Sequence, residues 1–271
     1  PGSNTQQLRS LLNGSAKEIS QAEEFYNRPL DIKYILDRLE NDINFKNRLN
    51  LQQVGVIGQS FGGYTALALA GAKINFKQLN KDCNEQALKQ TWNMSLFQCR
   101  ALELHGKNYG ISYNLRDERV KAVIAINPIT SSIFGEAGLS QIKIPVMIVA
   151  GSDDTIAPAL YEQIQPFSWI TNSHKYLVLL AGGTHFSTIG ESGNTSKQVP
   201  LPSNLVGDDP RQARRYISML SMPFLQTYVG GMSKYSPYLN AAYAKYISNQ
   251  NMSLSLIQSL TPNELARATA K

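Results

Sequence analysis

The sequence predicts an α/β fold built on a mostly parallel sheet with helices on both faces. Three observations carry that expectation. The apolar runs Val120–Ile126, Ile144–Ala150 and Tyr176–Leu180 lack the alternation of a half-solvated strand, as expected of strands buried on both faces. Segments of helical pattern separate them and no hairpin signal joins any two, which favours crossover connections. A fourth run, Val54-Gly-Val-Ile-Gly58, leads through Gln59-Ser60-Phe61-Gly62-Gly63 straight into an Ala/Leu-rich stretch ending at Ala70. Strand, Gly-x-Ser-x-Gly turn and helix therefore follow in immediate succession.

With 271 residues, 42% of them hydrophobic, the chain has ample material for one large core, so residues 1–271 are read as a single domain. It divides into a helical lead-in over 1–53, a sheet region over 54–186, and a loop with helical cover over 187–271. In the lead-in, residues 4–12 start a short helix and 21–28 form a loop. From about Leu30 to Ile43, Ile32, Ile35, Leu36, Leu39 and Ile43 share one face and Lys33, Asp37, Arg38 and Glu40 the other, an amphipathic helix.

Residues 74–117 are polar and irregular, an excursion over the sheet edge, and a helix is expected over 159–164. After a Gly/Ser/Pro-rich loop over 187–209, Asp209-Pro210 has the pattern of an N-cap with proline at the first helical position. The helix it opens carries Ile217, Leu220 and Leu225 and is expected to break or kink at Pro223. From Tyr238 onward the chain reads as helical, with Thr261-Pro262-Asn263-Glu264 opening the last helix. Met219, Met222, Phe224, Tyr228 and Met232 either cover the sheet or wall an apolar acyl pocket.

Composition excludes several function classes. The net charge is +6, but the local basic cluster is Arg211, Arg214 and Arg215 on one helix, a solvated face, and no nucleic-acid partner is expected. No run approaches the ~20 apolar residues of a membrane-spanning helix. No C-x-x-C or clustered Cys/His spacing points to a metal, and no cofactor is expected. The two cysteines, Cys83 and Cys99, lie in the polar 74–117 stretch. A disulfide is expected between them, two free thiols being the alternative. A loop of that size closed by a cystine gains ~3 kcal/mol on the chain-entropy model. Such a bond implies an oxidising, periplasmic or secreted location.

The Gly-x-Ser-x-Gly turn directs attention to Ser60. A strand that becomes a helix within a few residues forces the serine into a strained conformation, and Gly58 and Gly62 are expected to remove the collisions around it. A serine hydroxyl is a poor nucleophile at neutral pH and needs a base, which in turn needs a carboxylate to orient it. Of the three histidines, His105 has no strand behind it and His174 precedes its strand. His185 follows the C-terminal end of 176–180, the edge where open α/β sheets place ligands, and is the candidate base. Strand 144–150 ends in Gly151-Ser-Asp-Asp-Thr-Ile-Ala-Pro158, whose register selects Asp154 as the acid and leaves Asp153 to shape the turn. The order Ser60, Asp154, His185 is that of α/β-hydrolases. Phe61 N–H is the expected oxyanion donor, with Gln59 and Phe186 beside the substrate pocket.

With these residues in view, the chain resembles serine α/β-hydrolases of the group related to dienelactone hydrolases and platelet-activating-factor acetylhydrolases. The matching pieces are Arg28-Pro-Leu-Asp-Ile32, Gly58-Gln-Ser-Phe-Gly-Gly63, Asn127-Pro128, Gly151–Pro158 and Gly182-Gly-Thr-His-Phe186. The resemblance implies Ser60 as nucleophile, Asp154 as orienting acid and His185 as general base. Dienelactone hydrolases proper have cysteine at the position of Ser60, which moves the expectation from lactone opening to carboxylic ester hydrolysis. Relatives commonly have Gly-His-Ser where this chain has Gly58-Gln59-Ser60.

The expected activity is thus carboxylic ester hydrolysis through an acyl-enzyme, on small-molecule or lipid esters with apolar acyl groups. A lipase or polyester hydrolase, a phospholipid acetylhydrolase and, behind them, a serine peptidase are the alternatives within hydrolases. A hydrolase-fold module that binds without turnover is the alternative of another class. By the same resemblance Pro1-Gly-Ser-Asn4 looks like the segment after the fourth strand, so the first strands and the second oxyanion donor are expected to lie in another segment or chain. A missing oxyanion donor costs about 2.7–4 kcal/mol of transition-state stabilisation, so residues 1–271 by themselves are expected to be nearly inactive or insoluble.

Overall fold

The four apolar runs form four parallel strands, laid side by side in the order in which they occur in the chain. The computed structural model describes residues 22–84, 93–94, 97–104, 114–187 and 210–269. Its elements begin with helix α1 (Glu24–Asn41), strand β1 (Val54–Gln59), helix α2 (Phe61–Leu69), helix α3 (Phe76–Asp82) and a 3₁₀ segment, Gln98–Leu104. Strand β2 (Val120–Ile126), helix α4 (Ser131–Leu139) and strand β3 (Val146–Gly151) follow. A π-helical turn, Leu160–Ile164, then runs into helix α5 (Gln165–Trp169) and strand β4 (Lys175–Leu180). The chain continues through helix α6 (Pro210–Tyr228), helix α7 (Ala241–Ile247), strand β5 (Leu254–Ile257) and helix α8 (Pro262–Thr269). The helix expected over 4–12 and the cap expected at Asp209 lie outside the described residues.

The sheet order is β1-β2-β3-β4-β5, with β1 to β4 parallel and β5 antiparallel to β4. Alternate strand residues serve two cores. Val123, Ala125, Ile148 and Ala150 face a layer formed by α1 to α5, while Ile124, Met147, Val149 and Val178 face α6 and α7. β2 and β3 are almost wholly buried, as their unbroken apolar runs require. β1 is an edge of the sheet, and Ile57 is 49% exposed.

Strand β5 corrects the helical reading of the tail. Leu254 and Leu256 are buried and Ser255 and Ile257 exposed, a period of two spanned by only four residues. Leu180 pairs with Leu254 and Leu177 with Ile257. The last helix starts where expected, closed by a reciprocal cap between Thr261 and Glu264: Thr261 N–H donates to Glu264 Oε2 at 2.7 Å and Glu264 N–H to Thr261 Oγ1 at 3.2 Å.

Helix α1 begins six residues earlier than its pattern suggested, absorbing much of the stretch expected to be loop. Proline at position 29 argues for a helix start because it removes an intrahelical donor. Here the orphaned acceptor, Phe25 O, receives the Tyr64 hydroxyl at 2.9 Å. The buried face is accordingly Phe25, Tyr26, Pro29 and Leu36, whereas Ile35 and Ile43 are exposed. Phe25 is held by ring contacts to Phe61 at 4.8 Å and Tyr64 at 4.9 Å, which the helical period cannot anticipate.

Two further expectations change. The 74–117 stretch is not simply irregular: α3 and the 3₁₀ segment are joined by a Cys83–Cys99 disulfide. Helix α6 continues through Pro223 without interruption. Phe224 is buried against Tyr176, and the Tyr228 hydroxyl bonds the Tyr176 hydroxyl near the N-terminal end of β4. Met222 and Met232 are exposed. Phe224 and Tyr228 therefore cover the sheet near the N-terminal end of β4, away from the edge that carries Ser60, and Met222 and Met232 do not.

Arg119 ties β2 to α1, its guanidinium contacting Asp117 at 2.6 Å and Asp37 at 2.7 Å. Burial opposes ionisation of Asp117, but hydrogen bonds and charge from Arg119 outweigh it and hold the carboxyl below its usual value. A depressed folded pKa makes the contribution complete above the unfolded value of about 4 and lost as pH falls through the folded one. Urea unfolding of D117N between pH ~5 and pH ~2 is expected to show a weaker loss of stability with acid than wild type. For the cystine, C83S/C99S is expected to be destabilised by about 3 kcal/mol, read as a shift of the urea midpoint.

Candidate active site

Ser60 stands between β1 and α2 at φ 55° and ψ −120°, a region that non-glycine residues enter at about 1–3 kcal/mol. The turn is over-determined. Ser60 N–H donates to Ile126 O on β2 at 2.8 Å, and Tyr64 N–H closes the first helical turn on Ser60 O at 3.1 Å. A Cβ on Gly58 would lie 2.0 Å from Gly62 O, so this position must be glycine. Gly62 does not have the steric role expected of it, because a Cβ there would meet nothing within 4 Å. The second close approach belongs to Gly63, whose Cβ would stand 2.8 Å from Pro128 Cβ.

The loops after β3 and β4 bring Asp154 and His185 to this turn. His185 Nε2 lies 2.9 Å from Ser60 Oγ, and His185 Nδ1 lies 2.7 Å from Asp154 Oδ2. Asp154 and His185 are both 4% exposed. The second carboxylate oxygen of Asp154 accepts the N–H groups of Ile156 at 2.9 Å and Ala157 at 2.7 Å, which fixes the plane of the group. A carboxylate only accepts, so Nδ1 carries the proton and Nε2 is left to accept from the serine hydroxyl. Asp153 instead receives Ser152 Oγ–H at 2.7 Å, and Ser152 Oγ accepts Gly182 N–H at 2.8 Å. It shapes the turn, as expected. His174 lies before β4 with its ring 5.3 Å from that of Tyr228, and His105 is outside the described residues.

Gln59 Nε2 donates to His185 O at 2.7 Å and anchors the histidine loop. Phe186 sets its ring edge-on to His185 at 5.1 Å and is half-buried. Among the described residues the Phe61 N–H has no hydrogen-bond partner, so it is available at the N-terminus of α2. The Phe61 ring is buried between Phe25 and the Arg28 guanidinium, which lies 4.5 Å from its centroid. Arg28 thus packs on the residue that follows the serine.

The acid loop is also held from outside by residues that sequence reasoning missed. Asn93 Nδ2 donates to Ile156 O at 2.9 Å. Gln98, next to Cys99, donates to Asn93 Oδ1 at 2.6 Å and Glu162 Oε1 at 2.7 Å. The buried Glu162 carboxylate further accepts the N–H groups of Thr130 at 2.8 Å and Ser131 at 2.9 Å. Burial pushes this carboxyl above its usual range while the donors pull it down. No local pattern distinguishes these residues from surface polar ones. Among the described residues no cluster of His, Cys, Asp and Glu is placed to hold a metal ion, and no helix is long and apolar enough to cross a membrane.

No protein-family model and no curated protein matches the chain. The site's own geometry therefore carries the functional argument: a hydroxyl, an imidazole and a buried carboxylate lie in one hydrogen-bonded line, the arrangement nucleophilic acyl transfer requires.

G62A is expected to be neutral or up to about 1 kcal/mol stabilising, since it adds a methyl group in open space at a helix start. G58A is expected to be destabilised by at least ~3 kcal/mol or to fail to fold. Thermal unfolding of the pair checks both.

Proposed function

We propose that this chain is a serine α/β-hydrolase that cleaves carboxylic esters, of the group that includes dienelactone hydrolases and platelet-activating-factor acetylhydrolases. One observation carries the reading: the unbroken contact from Ser60 Oγ through His185 to Asp154, with Ser60 on a strained strand-to-helix turn. His185 Nε2 takes the hydroxyl proton as Ser60 Oγ attacks the ester carbonyl carbon. Asp154 stabilises the imidazolium that forms. The oxyanion of the tetrahedral intermediate is received by Phe61 N–H, aided by the helix N-terminus.

Collapse breaks the bond to the alkoxy oxygen, which leaves as an alcohol with the proton from His185. An acyl group stays on Ser60. Water, deprotonated by His185, then attacks the acyl carbon, and the carboxylic acid departs as Ser60 regains its proton. Proton and electron-pair transfers balance without a cofactor. Small-molecule or lipid esters are the substrate class. Phe224 and Tyr228 pack on the sheet and Met222 and Met232 are exposed, so these C-terminal residues lend no weight to a long acyl chain. The Cys83–Cys99 cystine favours a periplasmic or secreted site of action.

Fluorophosphonate labelling tests the reading. The full-length polypeptide is expected to be tagged at Ser60 and to hydrolyse nitrophenyl esters of graded acyl length. S60A is expected to lose the tag and to lower kcat/KM by about a thousandfold or more while keeping the fold. A folded full-length protein that takes no label and cleaves no ester in the panel is a binding module instead.

A further inference from the structure

Asn127, directly after β2, is 1% exposed and sits at φ +42°, one of three non-glycine residues at positive φ among the described residues. Its side chain is not needed to continue the sheet, because its backbone N–H already donates to Val149 O at 2.8 Å. The amide instead spans two loops. Asn127 Oδ1 accepts Gly151 N–H at 3.1 Å, at the root of the loop that carries Asp154. Asn127 Nδ2 donates to Thr184 O and His185 O, each at 3.2 Å. Two carbonyls and one N–H surround the group, so a single orientation of the amide satisfies all three. Glycine would meet the backbone angle with less strain, and the three hydrogen bonds account for asparagine in its place.

We infer that Asn127 is a positioning residue that sets the distance between the acid and base loops and thereby the line from Asp154 through His185 to Ser60. This rests on the ester-hydrolase reading of that line. The same residue's neighbour, Ile126, accepts Ser60 N–H, so the nucleophile turn and the clasp share one strand end. His185 O receives both Asn127 Nδ2 and Gln59 Nε2, at 3.2 Å and 2.7 Å. The base is thus held through its main chain from β1 and β2 and through its ring from the loop after β3. A displacement of reacting groups by about 1 Å is enough to lower a rate about a hundredfold.

N127G suits the positive φ and removes the clasp; N127D keeps the shape but turns two donors into acceptors facing carbonyls. Both are expected to stay folded by circular dichroism and to label with fluorophosphonate about ten- to a hundredfold more slowly than wild type. N127D also places a carboxylate against the main chain of His185, so its labelling-rate profile is expected to move to higher pH, whereas that of N127G is not. A readout independent of activity is the far-downfield NMR signal of the His185 Nδ1 proton, expected in wild type and broadened or lost in N127G. Wild-type labelling rate and an unchanged proton signal in N127G overturn the inference. If wild type neither labels nor cleaves esters, the hydrolase reading fails, and the proton signal in N127G alone decides for or against the clasp. If neither variant folds, the wild-type Asn127 side-chain amide decides: slow hydrogen exchange supports the clasp and exchange at the rate of a free amide overturns it.

Discussion

Ser60 occupies backbone angles that an L-residue adopts only when its surroundings leave no alternative. Much of the molecule at the C-terminal rim of the sheet can be understood as what keeps it there. Gly58 lets the descending strand and the ascending helix pass within contact distance, and Ile126 O holds the serine amide from the adjacent strand. The helix that follows is anchored beneath by Tyr64, whose ring stacks on Phe134 at 4.9 Å and whose hydroxyl completes the proline-interrupted helix α1. A strained turn and a proline inside a helix are thus linked through one buried tyrosine.

Parallel order explains why the site lies where it does. Every strand from β1 to β4 ends at the same rim, so the loops that leave them meet although their residues are far apart in the chain. Meeting is not yet alignment. Alignment comes from polar side chains that carry no chemistry of their own, Gln59 on the histidine carbonyl and Ser152 between the two loops. Behind the acid loop, Asn93, Gln98 and Glu162 form a buried network next to the cystine. Buried polar groups of this kind are stable only when all are paired, which favours one arrangement over near alternatives.

Within the reading proposed for the site, this architecture separates two tasks. The apolar cores on the two faces of the sheet hold the strands, and the hydrogen-bonded rim holds angles and distances at the scale that proton transfer requires. The C-terminal helices belong to the first task. Phe224 and Tyr216 are fully buried against the sheet, and Arg211 and Arg215 face outward.

Sequence alone determined the features that depend on local pattern: three buried strands and a fourth beside them, the serine turn, and the placing of Asp154 rather than Asp153, and of His185 rather than His174, next to Ser60. Apolar runs, glycine spacing and strand ends are written within windows of a few residues. Tertiary structure decided what depends on partners distant in the chain. It moved the start of α1 to Glu24 because Tyr64 satisfies the carbonyl that Pro29 abandons. It made Leu254–Ile257 a strand because β4 offers a free edge to a segment too short to declare itself. It gave Gln59 the role of an anchor on the histidine loop, and passed the steric role of Gly62 to Gly63 through contact with Pro128. A hydrogen bond or a close backbone approach has no sequence period, since its two halves are joined only when the chain folds.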